Sequence, residues 1–177
     1  MQRIIIVGDT GSGKTTLAQQ LAKKLGFSYT DLDDLFHLPG WKERPTEEFR
    51  ALVDVATQGE KWVVAGNYFS KTQGITWPRA DTLIYLDMPF TTNFWQLFKR
   101  TWRRSHSGEA ICNGNRETFA KQFLTKDSIL LWFLRKWRGT RKRYGDIFAN
   151  PEAYPHLKFI RLQSYRQSCE FLDGLQP

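Results

Sequence analysis

The chain has 177 residues, 41% of them hydrophobic, with a formal net charge of +8 and a pI of about 9.6. That length predicts a single domain, 1–177, able to bury its own core. The two cysteines, Cys112 and Cys169, show no paired ligand spacing, which argues against a disulfide scaffold or structural zinc, and no run approaches the ~18 apolar residues of a membrane span, so the expectation is a soluble cytoplasmic protein.

The first element is the informative one. Ile4-Ile5-Ile6-Val7 is an apolar, mostly β-branched run that predicts a strand buried on both faces. Gly8-Asp9-Thr10-Gly11-Ser12-Gly13-Lys14-Thr15 follows it and fits the pattern Gly, four residues, Gly-Lys-Thr. This is a phosphate-binding loop. Its glycines let several backbone N–H groups converge on one concavity, which a side chain at Gly8 or Gly13 is expected to obstruct. Lys14 then supplies a point charge for the β and γ phosphates of ATP, and the Thr15 hydroxyl a ligand for Mg²⁺. The amphipathic run from Thr16 to Leu25 predicts a helix whose N-terminus faces the same anion, with Gly26 as its stop.

Phe27 to Asp31 reads as a second strand ending in the carboxylate cluster Asp31-Leu32-Asp33-Asp34, and strand, helix, strand implies a right-handed parallel crossover. In such sheets ligands sit beyond the carboxyl ends of the strands, where both the loop and the aspartates fall. His37 to Trp41 is turn-rich, and Thr46-Glu47-Glu48 predicts a capped helix start. Lys61 to Ala65 is the third strand, with Gly66 and Asn67 in the loop at its ligand-bearing end, and Thr82 to Asp87 the fourth. From Thr91, Phe94, Leu97, Phe98 and Trp102 share one helical face, and Lys99, Arg100, Arg103 and Arg104 lie largely on the other. Ser105 to Asn115, polar with two glycines, predicts a mobile flap. Asp127 is placed to cap a further helix ending at Gly139, whose stretch Ile129 to Leu134 is apolar all round; that suits core or a partner surface, with core favoured. Arg141 to Tyr144 reads as a solvated cationic turn, Leu157 to Leu162 as a fifth strand, and Ser164 with Gln167 as a capping box for the last helix.

The positive charge is local. Residues 99–143 hold 13 Lys or Arg against 3 acidic residues, a net of +10, so the rest of the chain sums to −2. ATP phosphates need several cations, and this excess leaves room for a second polyanion.

With the loop, the aspartates and five strands placed, the chain resembles P-loop kinases of the adenylate and shikimate kinase-like group. Asp31 to His37, Pro39-Gly40-Trp41, Trp62 to Tyr68 and Ala80-Asp81 to Pro89 resemble bacterial proteins labelled DNA topology modulation proteins, which are adenylate kinase-related. The resemblance implies a three-layer α/β P-loop NTPase fold, a five-stranded parallel sheet ordered 2-3-1-4-5 flanked by helices, and a helical basic lid over roughly 103–120. It also implies that Asp31 lies near Mg²⁺ and Asp33 near the acceptor hydroxyl. Asp33 is therefore the leading candidate for catalysis and, with Thr15, for the metal, and Asp34 is a further acceptor candidate. Relatives often carry Asp-Gly at the end of the third strand where this chain has Ala65-Gly66, so the carboxylate near the metal must come from elsewhere; Asp87 ranks third. Arg100, Arg103 and Arg104 correspond to lid-helix arginines that touch nucleotide phosphates or base, and Arg116 to a lid residue. Arg44 is a candidate for an anionic group on the acceptor or an exposed surface cation.

The leading expectation is thus an ATP- and Mg²⁺-dependent nucleotide or small-molecule kinase, with Lys14, Asp33, Arg100 and Arg104 catalytic. The donor contacts expected are Gly8 to Thr16, Arg100 and Arg103, and the acceptor contacts Asp31, Asp33, Asp34, Arg44, Gly66, Asn67 and Arg116. The alternatives are a nucleic-acid-associated P-loop NTPase, motivated by Trp102, Phe119, Trp132 and Trp137 among the cations, and a polynucleotide 5′-hydroxyl kinase.

Overall fold

The structure is a computed structural model that describes residues 1–107, 110–116 and 128–175. Parts of the expected lid, with Phe119 and Asp127, lie outside the described residues, as does the side chain of Arg116.

Five parallel strands form the main sheet: β1 (Arg3–Gly8), β2 (Ser28–Asp31), β5 (Trp62–Ala65), β6 (Thr82–Leu86) and β9 (Lys158–Leu162). Their spatial order is β2-β5-β1-β6-β9, which, counting these five strands along the chain, is the expected 2-3-1-4-5. β1 is central, with Ile4 opposite Val63 on one side and Thr82 on the other, and its apolar run is buried throughout. Because side chains alternate across a strand, Ile5 and Val7 enter one core layer with Leu32, Phe49, Val64 and Tyr85, while Ile4 and Ile6 enter the other with Leu17, Leu21, Ala65 and Ile84. Helix α1 (Lys14–Leu25) covers the second layer and stops at Gly26, whose φ is +68°.

The connections carry more structure than the sequence reading assigned. Asp31 ends β2 and caps a short helix, α2 (Leu32–Phe36), by accepting from the Asp33 N–H. A two-residue hairpin follows, β3 (His37–Leu38) against β4 (Lys42–Glu43), turned through Pro39–Trp41 with Gly40 and Trp41 at positive φ. Helix α3 (Thr46–Ala56) starts after Pro45 without a side-chain cap, and α4 (Phe69–Arg79) follows β5.

On the other flank are α5 (Phe90–Ser107), the hairpin β7 (Ala110–Ile111) with β8 (Asn115–Arg116), α6 (Ile129–Ala149) and α7 (Tyr165–Asp173). α7 begins as predicted, with Ser164 Oγ accepting from the Gln167 N–H at 3.2 Å. α6 corrects three expectations. It runs through Gly139, and Arg141 to Tyr144 are helical. Glycine in a helix interior costs up to ~1 kcal/mol; burial of Tyr144 beside Tyr85, ring centroids 5.2 Å apart, and the packing of Ile147 and Phe148 on the core outweigh it. Of the stretch favoured as core, Phe133 is buried, but Leu131, Trp132 and Leu134 are exposed. α5 is also turned from its expected setting: Asn93, Leu97 and Thr101 are buried, while Trp95 and Trp102 are exposed. Among the described residues no helix is long and apolar enough to cross a membrane.

Asp87, just past β6, binds these elements together. Its Oδ2 accepts from Arg161 Nε at 3.0 Å and Nη2 at 2.5 Å and from Gln163 Nε2 at 3.2 Å. Its Oδ1 takes Tyr85 Oη at 3.2 Å and Arg141 Nε at 3.3 Å. Both oxygens are therefore engaged by protein donors. The carboxylate is buried, whereas both arginines are over two-fifths exposed and can return to water if it is lost. Asp87→Asn is accordingly expected to cost about 2 kcal/mol, below the usual cost of breaking a fully buried pair, measured by urea unfolding.

Candidate functional site

Between β1 and α1 the chain bends tightly. Gly8, Gly11 and Gly13 have φ of +152°, +81° and +90°. A Cβ on Gly8 would stand 2.8 Å from both the Leu86 carbonyl oxygen and Ser12 Oγ, and one on Gly11 would stand 2.8 Å from the Asn93 carbonyl oxygen. At Gly13 no protein atom lies within 4 Å of a Cβ position, and the backbone angle by itself calls for glycine there. The Ser12 N–H donates to the Asp9 carbonyl at 3.1 Å, and Lys14 Nζ donates to the same oxygen at 2.9 Å.

Asn67 holds the start of this loop. Its Oδ1 accepts from the Gly8 N–H at 3.1 Å and its Nδ2 donates to the Gly8 carbonyl at 2.5 Å. Gly66 is packed so tightly that a Cβ would come within 2.7 Å of Leu32 Cβ. Both residues, expected among acceptor contacts, here join the end of β5 to the phosphate loop and to α2.

The carboxylates divide. Asp31 Oδ2 accepts from Thr15 Oγ1 at 3.0 Å and from Tyr29 Oη at 2.9 Å. Asp31, and not Asp33, is thus the carboxylate bonded to the loop threonine. Asp33 is exposed, and Tyr68 Oη donates to its Oδ1 at 2.7 Å, leaving Oδ2 open among the described residues. Burial, and next the Asp33 charge, raise the Asp31 pKa. Burial lowers that of the Lys14 ammonium, while Asp33 and Asp31 raise it and Arg100 lowers it further, so the four charges act on one another.

Arg100 of α5 donates from Nη2 to Thr10 Oγ1 at 3.3 Å, which brings an arginine of that helix onto the loop. Arg103 is exposed and Arg104 is half-buried. Arg44 is occupied locally, its Nε donating to the Leu35 carbonyl at 2.7 Å and its Nη1 lying 3.7 Å from Glu48.

Two residues the sequence reading passed over close the site. Asn113 Nδ2 donates to the carbonyls of Asp34 and His37, each at 2.7 Å. Asn115, buried, accepts from the Trp41 N–H at 2.9 Å and donates to the Leu38 carbonyl at 3.0 Å. The segment expected as a mobile flap is bonded, through Asn113 and Asn115 of its hairpin, to the chain that follows Asp33 and Asp34. Cys112, Asn113 and Gly114 sit in consecutive positive-φ conformations, and the Asn-Gly pair was the available sequence signal for such a turn.

The comparisons with known proteins agree with this architecture. Residues 4–112 match the family model described as "AAA domain", more than half of the chain, and the chain belongs to that family. Beyond that family, the chain is similar in sequence and fold to P-loop kinases of the shikimate kinase-like group. It is 31% identical over 99 residues to shikimate kinase 2 of Dickeya chrysanthemi, covering 49% of this chain and 57% of that protein. It is 58% identical over 31 residues to a probable gluconokinase of Xenopus tropicalis, covering 18% and 16%. The matched stretches thus span little more than half of one relative and less than a fifth of the other. Among solved structures, a shikimate kinase from Acinetobacter baumannii in complex with shikimate has a TM-score of 0.56 at 17% identity, covering 98% of this chain and 89% of that one. A gluconokinase from Sinorhizobium meliloti 1021 has a TM-score of 0.51 at 13% identity, covering 97% and 91%. At those identities the likeness is one of fold.

Asp9 gives the loop a pH signature. Burial pushes its carboxyl from 3.8 up to about 6, opposed by Lys14, the Thr140 hydroxyl and Arg141. Between those values the folded chain retains a proton that the unfolded chain releases, so this contribution to stability is complete below 3.8 and lost as pH rises through about 6. Asp9→Asn removes the cost of burying the charge. We expect it to raise Tm by about 4 °C at roughly pH 8 and to leave it nearly unchanged near about pH 4, by calorimetry.

Proposed function

We propose that the chain is an ATP-dependent phosphotransferase, a kinase that moves the γ-phosphoryl group of ATP to a hydroxyl-bearing acceptor with the help of Mg²⁺. The observation that carries the reading is the Thr15–Asp31 hydrogen bond at 3.0 Å, directly after Lys14 and beside an Asp33 carboxylate with one open oxygen. A hydroxyl and a carboxylate side by side are hard oxygen donors, so Thr15 and Asp31 fit Mg²⁺, Thr15 as ligand and Asp31 toward its water shell. Mg²⁺, when bound, offsets negative charge on the phosphate oxygens.

The loop amides and Lys14 would hold the triphosphate, and Arg100, already on Thr10, would meet its charge from α5. Arg103 and Arg104 are the further donor-side candidates, and Arg116 remains a candidate of the lid. Asp33 Oδ2 would receive the proton of the attacking hydroxyl, with Tyr68 fixing the carboxylate through Oδ1. The acceptor oxygen forms its bond to the γ-phosphorus as the bond to the bridging oxygen breaks, and that electron pair leaves on ADP.

Lys14→Ala is the direct test. The variant should fold, retain its melting cooperativity and lose at least ~100-fold in transfer from γ-labelled ATP; transfer at the parent rate would sink the proposal.

A second reading, a nucleic-acid-associated P-loop protein, draws on the exposed tryptophans. Trp95, Trp102 and Trp132 are 57%, 47% and 44% exposed, and Lys99, Arg103, Arg135, Lys136 and Arg138 are exposed on the same two helices. Of these, Trp132 lies in the stretch favoured as core, and the exposure of all three lends support to stacking of bases among cations. Labelled single-stranded DNA and RNA, titrated by anisotropy across salt, decide it. Binding that persists above ~150 mM salt supports the second reading, and loss below that marks a basic surface.

A further inference from the structure

We propose that nucleotide binding at the phosphate loop draws a proton from solvent onto the Asp9 carboxyl, so that the loop holds its polyanion more tightly as pH falls. The inference rests on the donor half of the phosphotransferase reading and adds a control to it. Asp9 is the second residue of the loop. Its main-chain carbonyl accepts from Lys14 Nζ at 2.9 Å and from the Ser12 N–H at 3.1 Å, so the residue that carries the carboxyl is built into the turn itself.

The side chain is only 5% exposed, and the Thr140 hydroxyl of α6 is its hydrogen-bond partner. A carboxylate so buried is ordinarily paired with a cation. Here the available cations are engaged otherwise. Arg141, next to Thr140, forms its ion pair with Asp87 at 3.3 Å, and Lys14 reaches the main chain of Asp9. Among the described residues no Lys or Arg forms an ion pair with the Asp9 carboxylate.

The groups that face Asp9 come from every element around it. α1 contributes Lys14, β6 contributes Tyr85 with Asp87 just past it, and α6 contributes Thr140, Arg141 and Tyr144. Arg100 of α5 reaches the adjoining Thr10. Burial raises the hydroxyls of both Tyr85 and Tyr144, which keeps them neutral. Burial pushes Asp9 up to about 6, so it is mostly ionised near about pH 7 and mostly protonated near about pH 5.

A nucleotide changes this balance in two ways. Its phosphates bring several negative charges to the same loop, and they engage Lys14, the foremost cation opposing the burial of Asp9. Both act against the ionised carboxyl. Salt screens a buried group little, so each added charge alters its proton affinity by on the order of tenfold. The coupling is reciprocal: whatever the nucleotide does to the proton, the proton does to the nucleotide.

The test is titration calorimetry with ADP, without metal, on the full chain and on Asp9→Asn, in buffers of differing ionisation enthalpy from about pH 5 to about pH 8. Protonation of ADP and of Asp31 is common to both proteins and cancels in the comparison. We expect the native chain to take up about half a proton more than the variant near about pH 6.5. The ratio of its ADP Kd to that of the variant should rise about eightfold from about pH 5 to about pH 8. Equal proton counts, or a ratio constant within about twofold, overturn the proposal while nucleotide binding stands. If neither protein binds ADP at any pH, the donor reading falls and this one with it. Thr140→Val is an independent check, since it keeps the carboxyl and removes its hydroxyl partner. The pH of greatest proton uptake should then move upward by at least about 0.5, and an unmoved maximum counts against Asp9 as the group that takes the proton.

Discussion

Asn67 closes two hydrogen bonds on the main chain of Gly8, one to its N–H and one to its carbonyl, and most of the carboxyl end of the sheet depends on that pair. Gly8 still pairs with Leu86 in the β1–β6 register, so the chain leaves the sheet there with its last strand residue held from both sides. The crowding of Gly8 against Leu86 and Ser12 leaves no room for a side chain, and the turn folds back until Ser12 and Lys14 share the Asp9 carbonyl. Next to Asn67, Gly66 lies against Leu32, the first residue of α2. One short loop after β5 thereby sets the phosphate turn and the start of the acidic helix at a common distance. A neutral amide does this well, because it offers both a donor and an acceptor without adding charge beside Lys14.

From that clamp follows a separation of charge across a few ångströms. Lys14 follows the loop and Arg100 reaches it from α5, while Asp31, Asp33 and Asp34 lie on the neighbouring strand end and helix. Each set moderates the other, as the opposing influences on Lys14 show. The hairpin tip at Asn113 and Asn115 bonds to main-chain carbonyls on the acidic side, so the segment carrying it reports on that wall and not on the loop.

The far flank has a different logic. Asp87 unites β6, β9 and α6 through two arginines, and Tyr144 is buried against Tyr85. These anchors let α6 run past Gly139. They also turn its early residues and the aromatic edge of α5 outward, since Asn93, Leu97 and Thr101 occupy the inner face of α5 beside the loop glycine Gly11. Helical periodicity identifies a face but not which neighbour it meets. Here the polar face with Arg100 was drawn to the phosphate loop, and the larger aromatic stripe was left at the periphery.

The sequence alone determined everything that contiguous residues can decide. The buried run Ile4 to Val7, the eight-residue loop and the following helix are consecutive, so composition and spacing suffice for them and for the five strands, whereas the strand order came only from the resemblance to P-loop kinases. Only the tertiary structure decided which distant side chains complete the site. Thr15 meets Asp31 across 16 positions, Gly8 meets Asn67 across 59, and Thr10 meets Arg100 across 90. No local pattern separates Asp31 from Asp33, or the inner face of α5 from the outer, because both choices rest on where the sheet order sets one element against another.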